Sequence, residues 1–219
     1  MNYASPKAAD FVEVHALNAT FLKLLRSPDA PARVTAELPA DVAEVLVSLD
    51  DEALGHLALA PFLLCSLREL DDDFWDAVHQ EGHTPSLFDP DPANGRETAH
   101  FISAAIGFIW QMARQNPYTL RLTCCASLRW AERIAEQPLM TLIERATRSD
   151  ILRLRAENDP RIWRRLLTAA RTQDAGVRQT LLNSVLQTLL VASNSSRPRR
   201  LKTAACRTDV PAASLVDGH

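Results

Sequence analysis

Hydrophobic and polar positions along the chain repeat mostly with the period of an α-helix. Residues 12–25, for example, place Val14, Leu17, Phe21 and Leu25 on one face. The same spacing recurs in residues 40–49, 50–60, 72–82, 96–115, 127–136, 139–148, 162–171 and 175–192. The chain has 219 residues and only 6 Gly, a composition that favours helices. The pattern therefore predicts an all-α fold.

Two stretches depart from the helical period. Residues 61–70, PFLLCSLREL, form a short apolar run after a proline, which fits either a strand or a buried helical turn. Residues 151–157, ILRLRAE, alternate with a period of two, which favours a short strand.

Two tryptophan-bearing segments resemble each other. Residues 68–78 read RELDDDFWDAV, and residues 156–166, 88 positions later, read AENDPRIWRRL. Asp71 or Asp72 in the first segment and Asp159 in the second are placed to cap the following helices. We expect Trp75 and Trp163 to anchor those helices in the core, because both lie beside Leu-rich faces.

The resemblance extends beyond the tryptophans. Residues 15–78 align with 103–166 without a gap at twelve identical positions, where roughly five would match by chance. A unit of about 70 residues buries too little surface to fold well alone. We therefore predict two similar helical units that pack as a pseudo-twofold pair, with residues 62–69 and 151–157 pairing as strands between them. The alternative is a chance register in a helical chain rich in Leu, Ala and Arg.

Charge divides the chain in the same way. Residues 1–95 hold 5 Lys or Arg and 17 Asp or Glu, a net charge of −12, whereas residues 96–219 hold 19 and 10, a net charge of +9. The predicted organisation is an acidic unit 1–82, a Pro-rich linker 83–95, a basic unit 96–192 and a disordered basic tail 193–219. Such a split indicates either that the halves attract each other or that they bind different partners.

The order of elements resembles that of the FlhD family, the small helical subunit of the bacterial flagellar master transcriptional regulator. The likeness lies in RQNPYTLRLT, WAERIAEQPLMTLIERA and DILRLRAE of the second half, and in LNATFLKLL, ADVAEVLVSLDDEALGHLA and LLCSLRELDD of the first. Members are all-helical homodimers that act in transcription with a second subunit and are not enzymes. The resemblance implies a tandem duplication of such a subunit in one chain, and it carries over no functional residue.

Composition sets further expectations. No run of 18 apolar residues is present, and residues 1–14 lack the pattern of a secretory signal, so we expect a cytoplasmic protein without a membrane span. Cys65, Cys124, Cys125 and Cys206 lack the paired spacing of a zinc site. We expect them to be reduced, and Cys124 and Cys125 to be buried as small hydrophobic residues.

Catalytic chemistry has little support in the sequence. Asp76-x-x-His79 and Glu97-x-x-His100 have the acid-x-x-His spacing of helical di-iron sites, but the long helices that supply two further glutamates are missing. We predict no catalytic residue, no metal and no cofactor, with a carboxylate/His metalloprotein as an alternative.

Basic residues are the stronger candidates for binding. The set on or near the last two predicted helices comprises Arg161, Arg164, Arg165, Arg171 and Arg178. The first three share a helical face and can contact phosphates or a partner protein. Alternatively they are solvated, or they pair with Asp72, Asp73 and Asp76.

The sequence thus predicts a non-enzymatic regulatory or adaptor protein that recognises a protein partner, in the context of a transcription complex. Direct nucleic-acid binding by the Arg-rich half is the alternative, and the oligomeric state is left open.

Overall fold

The computed structural model describes residues 6–28, 30–80 and 95–195, and these form a mostly helical fold with one small sheet, as predicted. The helices in this part are α1 (Ala8–Arg26), α2 (Ala32–Ala36), α3 (Ala40–Ser48), α4 (Asp51–Ala58), α5 (Asp72–Gln80), α6 (Arg96–Gln115), α7 (Pro117–Cys124), α8 (Leu128–Glu136), α9 (Leu139–Arg148), α10 (Pro160–Arg171) and α11 (Ala175–Ser195). Strands β1 (Cys65–Ser66) and β2 (Arg153–Leu154) form the sheet.

The two strands lie in the predicted segments and pair antiparallel, which confirms that pairing. Cys65 lies opposite Leu154, and Ser66 lies opposite Arg153. Side chains cover both edges of this short ladder. The Glu37 carboxylate accepts a hydrogen bond from the N–H of Leu154 at 2.9 Å, and the Arg155 guanidinium donates to the carbonyl of Cys65 at 2.6 Å. These bonds satisfy backbone groups that an open strand edge leaves unpaired.

Element boundaries repeat along the chain at the spacing of the two tryptophan segments. The first residues of α1, α3, α4, β1 and α5 each lie 88 residues before the first residues of α6, α8, α9, β2 and α10. The order of the elements is therefore the same in the two halves.

Both tryptophan helices make contacts with the other half of the chain. Helix α10 of the second half packs on α3 and α4 of the first, where His56 Nδ1 lies 3.1 Å from the carbonyl oxygen of Ala170. In the other direction, the ring of Trp75 on α5 meets the ring of Trp130 on α8 at 5.6 Å between centroids. Both halves contribute to one continuous hydrophobic core.

Three features differ from the sequence prediction. Helices α2 and α7 were not expected, and α7 begins where Asn116 accepts a hydrogen bond from the N–H of Thr119. Helix α11 runs to Ser195, three residues into the predicted tail, and no proline interrupts the sequence there before Pro198. Residues 81–94, which hold most of the predicted linker, and 196–219, which hold Cys206 and the rest of the tail, lie outside the described residues.

Candidate partner-recognition groove

Helix α10 begins at the predicted cap, and it has one buried apolar face and one exposed polar face. The Asp159 side chain accepts a hydrogen bond from the N–H of Arg161 at 3.1 Å, and Pro160 occupies the first helical position. One face is buried and apolar, through residues such as Trp163 and Leu166. The opposite face is exposed and carries Arg161, Arg164, Thr168 and Arg171 at helical spacing.

An open groove lies where this exposed face meets α3. Its volume is about 450 Å³, and it is lined by Asp41, Val42, Val45, Arg164, Leu167, Thr168, Arg171 and Thr172. Val42 and Leu167 are buried and Val45 is half-buried, so the floor is apolar and the rim is charged. A groove with an apolar floor and a charged rim has the composition of a protein-binding surface. We call it the α3–α10 groove.

One ion pair crosses the α3–α10 groove. Arg164 Nε lies 2.7 Å from Asp41 Oδ2, and Nη2 lies 3.3 Å from Oδ1, so the contact is bidentate. The hydrogen bond from Arg164 holds the pKa of the Asp41 carboxyl below its ordinary value. Both side chains are just over half exposed, and a pair in that position adds little to stability.

Of the three arginines predicted to share a face, Arg161 and Arg164 do so but Arg165 does not, and the five candidate arginines differ in their contacts. Arg165 turns towards α11, where it donates to Ser184 and Thr188, and Arg178 donates to the carbonyls of Thr172 and Gln173. These two guanidinium groups are therefore engaged in fixing α11 against α10.

Arg161, Arg164 and Arg171 remain exposed. Within the described part of the chain, Arg161 and Arg171 have no ion pair and no side-chain hydrogen bond.

Asp72, Asp73 and Asp76 do not pair with these arginines among the described residues. Arg133 on α8 lies 2.8 Å from Asp76 and 3.8 Å from Asp72 instead. Charge does join the halves at these helices, but α5 and α10 do not pair with each other: Asp76 of α5 pairs with Arg133 of α8, and Arg164 of α10 pairs with Asp41 of α3. The reason is that each tryptophan helix packs against the other half of the chain: α5 lies beside α8, and α10 lies beside α3.

The residues considered for a metal have other contacts. Asp76 binds Arg133, and Glu97 accepts a hydrogen bond from the Ser27 hydroxyl at 3.1 Å. His100 is exposed, and the side chain of His79 lies outside the described residues. Across residues 6–28, 30–80 and 95–195, no group of three or more His, Cys, Asp or Glu could hold a metal ion.

A buried polar cluster holds the strands in place. Arg155 Nη2 lies 2.8 Å from Glu69 Oε1, and the same guanidinium donates to the carbonyls of Leu63, Cys65 and Cys124. Burial disfavours the charge of Arg155, but its neighbours, with the Glu69 carboxylate first among them, together outweigh burial, so the pKa of the guanidinium lies above its ordinary value. No pattern in the sequence indicated this role, because a period-two strand usually exposes its arginines.

The cysteines beside this cluster are free thiols, as expected. Burial raises the pKa of Cys65 to about 12 and that of Cys125 to about 11, and it raises the pKa of Cys124 as well. Thiols with such pKa values are not ionised at neutral pH and are poor nucleophiles.

Asn18 is a second residue that the sequence pattern did not single out. It is buried on the apolar face of α1, where its amide donates to the carbonyls of Ala58, Ala60 and Phe62. Its side-chain oxygen accepts a hydrogen bond from the N–H of Leu64 at 2.9 Å. An Asn on an otherwise apolar stripe, between Leu17 and Phe21, was the available signal.

Comparison with known proteins adds no relative: no family model, no curated protein and no solved structure matches the chain. Among the described helices, none combines the length and the apolar character needed to cross a membrane.

Proposed function

We propose that the protein is a non-enzymatic adaptor that binds a protein partner through the α3–α10 groove. The observation that carries the proposal is the pairing of an apolar floor with exposed, unengaged Arg171 and Arg161 on one helix face. Such a surface favours a partner segment with acidic and apolar side chains. The element order that resembles the FlhD family extends the proposal to a partner within a transcription complex.

We further propose that the scaffold is a duplicated unit packed as a pseudo-twofold pair. The register of the ladder supports this. Moving forward 88 residues from Cys65 and back 88 from Leu154 leads to Arg153 and Ser66, which form the other pair of the same ladder. A twofold axis through an antiparallel ladder exchanges its residue pairs in this way.

Backbone geometry after the strands supports the same proposal. Arg68 and Ala156 both have a φ of 56°, in the left-handed region that non-glycine residues seldom adopt. The N–H of Asp71 then donates to the Arg68 carbonyl at 3.0 Å, and the N–H of Asp159 donates to the Ala156 carbonyl at 2.9 Å. The same unusual turn thus precedes both tryptophan helices.

Photo-crosslinking tests the groove. A photoreactive amino acid at Thr168, which lines the groove, should give a discrete adduct with another polypeptide in the native cell, and Arg171→Glu should abolish it. The same probe at Thr20, an exposed threonine on α1, is the matched control. Absence of an adduct at Thr168, or identical adducts from both positions, would refute the proposal.

Direct nucleic-acid binding is a second candidate function. It is favoured by the exposure of Arg161, Arg164 and Arg171 on one helix face. Asp41 weakens it, because this carboxylate neutralises Arg164.

A further inference from the structure

We propose that residues 197–202, the basic segment that follows α11, dock into a groove beside the strand ladder of the same chain. The segment reads RPRRLK and carries four cations. The groove has a volume of about 1230 Å³, and we call it the ladder groove. Among the described residues, it shares none of its lining with the α3–α10 groove, so the inference does not depend on the proposed partner site.

Both halves of the chain line the ladder groove. The first half contributes Ser66 of β1 and residues 68–73, and the second half contributes residues 153–159, which include β2. The C-terminal part of α11 adds Thr188, Leu189, Ala192 and Ser193. The groove is therefore bordered both by the end of α11 and by the start of α5.

Most of the cations that line the ladder groove are already paired. The pairs are Arg68 with Asp71, Arg155 with Glu69, and both Arg33 and Arg153 with Asp150. Arg129 is exposed, and within the described residues it has no ion pair. These pairs leave little positive charge in the groove to repel a basic segment.

The acidic residues that line the groove are not balanced in the same way. Asp73, Glu157 and Asp159 have no ion pair in the part of the chain that the structure describes. Asp72 lies at the longer distance of 3.8 Å from Arg133. These carboxylates outnumber Arg129, so the groove has an excess of unpaired negative charge, which attracts a segment with four cations.

The place where α11 ends favours this segment over a basic segment of another protein. Ser193 lines the groove, and Arg197 follows four residues later, which is at most about 14 Å of extended chain. A segment on so short a tether has an effective local concentration on the order of millimolar. Exposed ion pairs are individually weak, but at this concentration several of them are sufficient for docking.

An apolar contact adds to the attraction. Leu201 lies among the cations of the segment, and Leu70 of the groove is 51% exposed. Covering Leu70 with Leu201 removes apolar surface of both side chains from water. Docking also withholds the four cations of the segment from nucleic-acid phosphates, which compete for the same charges.

Zero-length crosslinking with a carbodiimide tests the inference on the full chain, because Lys202 is one of only three lysines. The reagent joins an amine to a carboxylate that contacts it. Mass spectrometry should find Lys202 joined to Asp72, Asp73 or Glu157, and an equimolar mixture of isotope-labelled and unlabelled protein should show that the adduct forms within one molecule. The exposed Lys7 and Lys23 are internal controls and should not react with these carboxylates. Adducts of Lys202 that lie only outside the groove, that join two copies, or that do not form at all overturn the inference.

Limited trypsin digestion provides a second readout, which does not consume the carboxylates. A docked segment is protected from cleavage after Arg199, Arg200 and Lys202. Asp73→Asn with Glu157→Gln should speed this cleavage about fivefold, because it removes two of the unpaired negative charges.

Two further variants control the digestion. Asp51→Asn with Glu52→Gln removes two exposed carboxylates at the start of α4 and should leave the wild-type rate unchanged. Asp73→Glu with Glu157→Asp keeps both charges and should keep cleavage slow. Equal cleavage rates in the wild type and in all three variants overturn the inference.

Discussion

Arg155 and Glu69 form a buried ion pair that joins the two halves of the molecule, with 2.8 Å between Nη2 and Oε1. The partners lie at the turn after β1 and at the end of β2, and each side chain is at least nine-tenths buried. The guanidinium also satisfies three backbone carbonyls. The strand region of the fold therefore depends on a charge that water cannot stabilise.

Arg155→Met should lower the free energy of unfolding by about 3–5 kcal/mol, because it leaves the Glu69 carboxylate buried without its cation. Urea denaturation measures this. Adding Glu69→Gln to Arg155→Met should recover part of the loss, since the unpaired charge is then removed. Arg161→Met, at an exposed arginine, should stay within about 0.5 kcal/mol of the wild type. Equal effects of Arg155→Met and Arg161→Met would contradict this account.

Asn18→Ala should cost about 1–3 kcal/mol of unfolding free energy, because it removes the amide that binds three carbonyls and the N–H of Leu64. Thermal or urea denaturation provides the measurement. Asn183→Ala, at an exposed position of α11, is the control and should be close to neutral. If both alanine variants have the same stability, Asn18 is not a structural anchor.

Acid should remove a stabilising contribution from Asp71. Burial raises its pKa, but the N–H of Phe74 and the Arg68 guanidinium outweigh burial, and the pKa lies below the ordinary 3.8. Its stabilising contribution is therefore present above pH 3.8 and is lost as pH falls through the lower native pKa. Asp71→Asn should be less stable than the wild type at pH 7 by about 0.5–1 kcal/mol. This gap should shrink towards pH 2 or so in denaturation experiments.

Glu37 provides the control of opposite sign. Burial is the main cause that raises its pKa above the ordinary 4.5. The raised pKa means that the protonated Glu37 carboxyl stabilises the folded state. This contribution is fully present below pH 4.5 and is lost as pH rises through the native pKa. Relative to Glu37→Gln, the wild type should therefore lose stability as pH rises through this window. Parallel pH profiles for the Asp71 and Glu37 variants would show that these groups do not titrate as argued.

Cutting the chain between its halves should leave them associated. A protease site introduced within residues 81–94 and cleaved in the folded protein should yield two fragments that elute together. The reason is that α10 packs on α3 and α4, and that Trp75 packs on Trp130. The fragments should separate in denaturant, which is the control for complete cleavage. Separation under native conditions would refute the shared core.

Binding to nonspecific duplex DNA should be weak, and Arg161→Ala/Arg164→Ala/Arg165→Ala should reduce it only slightly. Asp41 already neutralises Arg164 and Arg165 is engaged with α11, so Arg161 is the one unpaired cation among the three that the variant removes. Fluorescence anisotropy at several salt concentrations measures both affinity and its salt dependence. A steep salt dependence that is lost in the triple variant would instead support direct nucleic-acid binding.

Local features of this fold followed from the sequence where a single chemical signal governs them. The period-two run at residues 151–157 gave β2, and Asp159 with Pro160 gave the start of α10. The same kind of signal, Asn116 followed by Pro117, marks the start of α7 directly after the end of α6 at Gln115.

Long-range features could not be predicted in the same way. A period of two places Arg153 and Arg155 on one strand face. Only the assembled fold reveals that both are buried, with Glu37 paired to Arg153 and Glu69 paired to Arg155. The groove likewise combines α3 and α10, which are separated by more than a hundred residues. Periodicity along one element carries no information about which distant element will cover it.

The packing of α10 on α3 and α4 of the other half has a consequence for folding during translation. The apolar surface that includes Val42 and Leu57 leaves the ribosome well before the helix that covers it, because His56 and Ala170 are 114 residues apart. At roughly 5–20 residues per second, the interval is on the order of ten seconds. During that time the nascent first half displays an uncovered hydrophobic face. We therefore expect a chaperone to bind the nascent first half during translation.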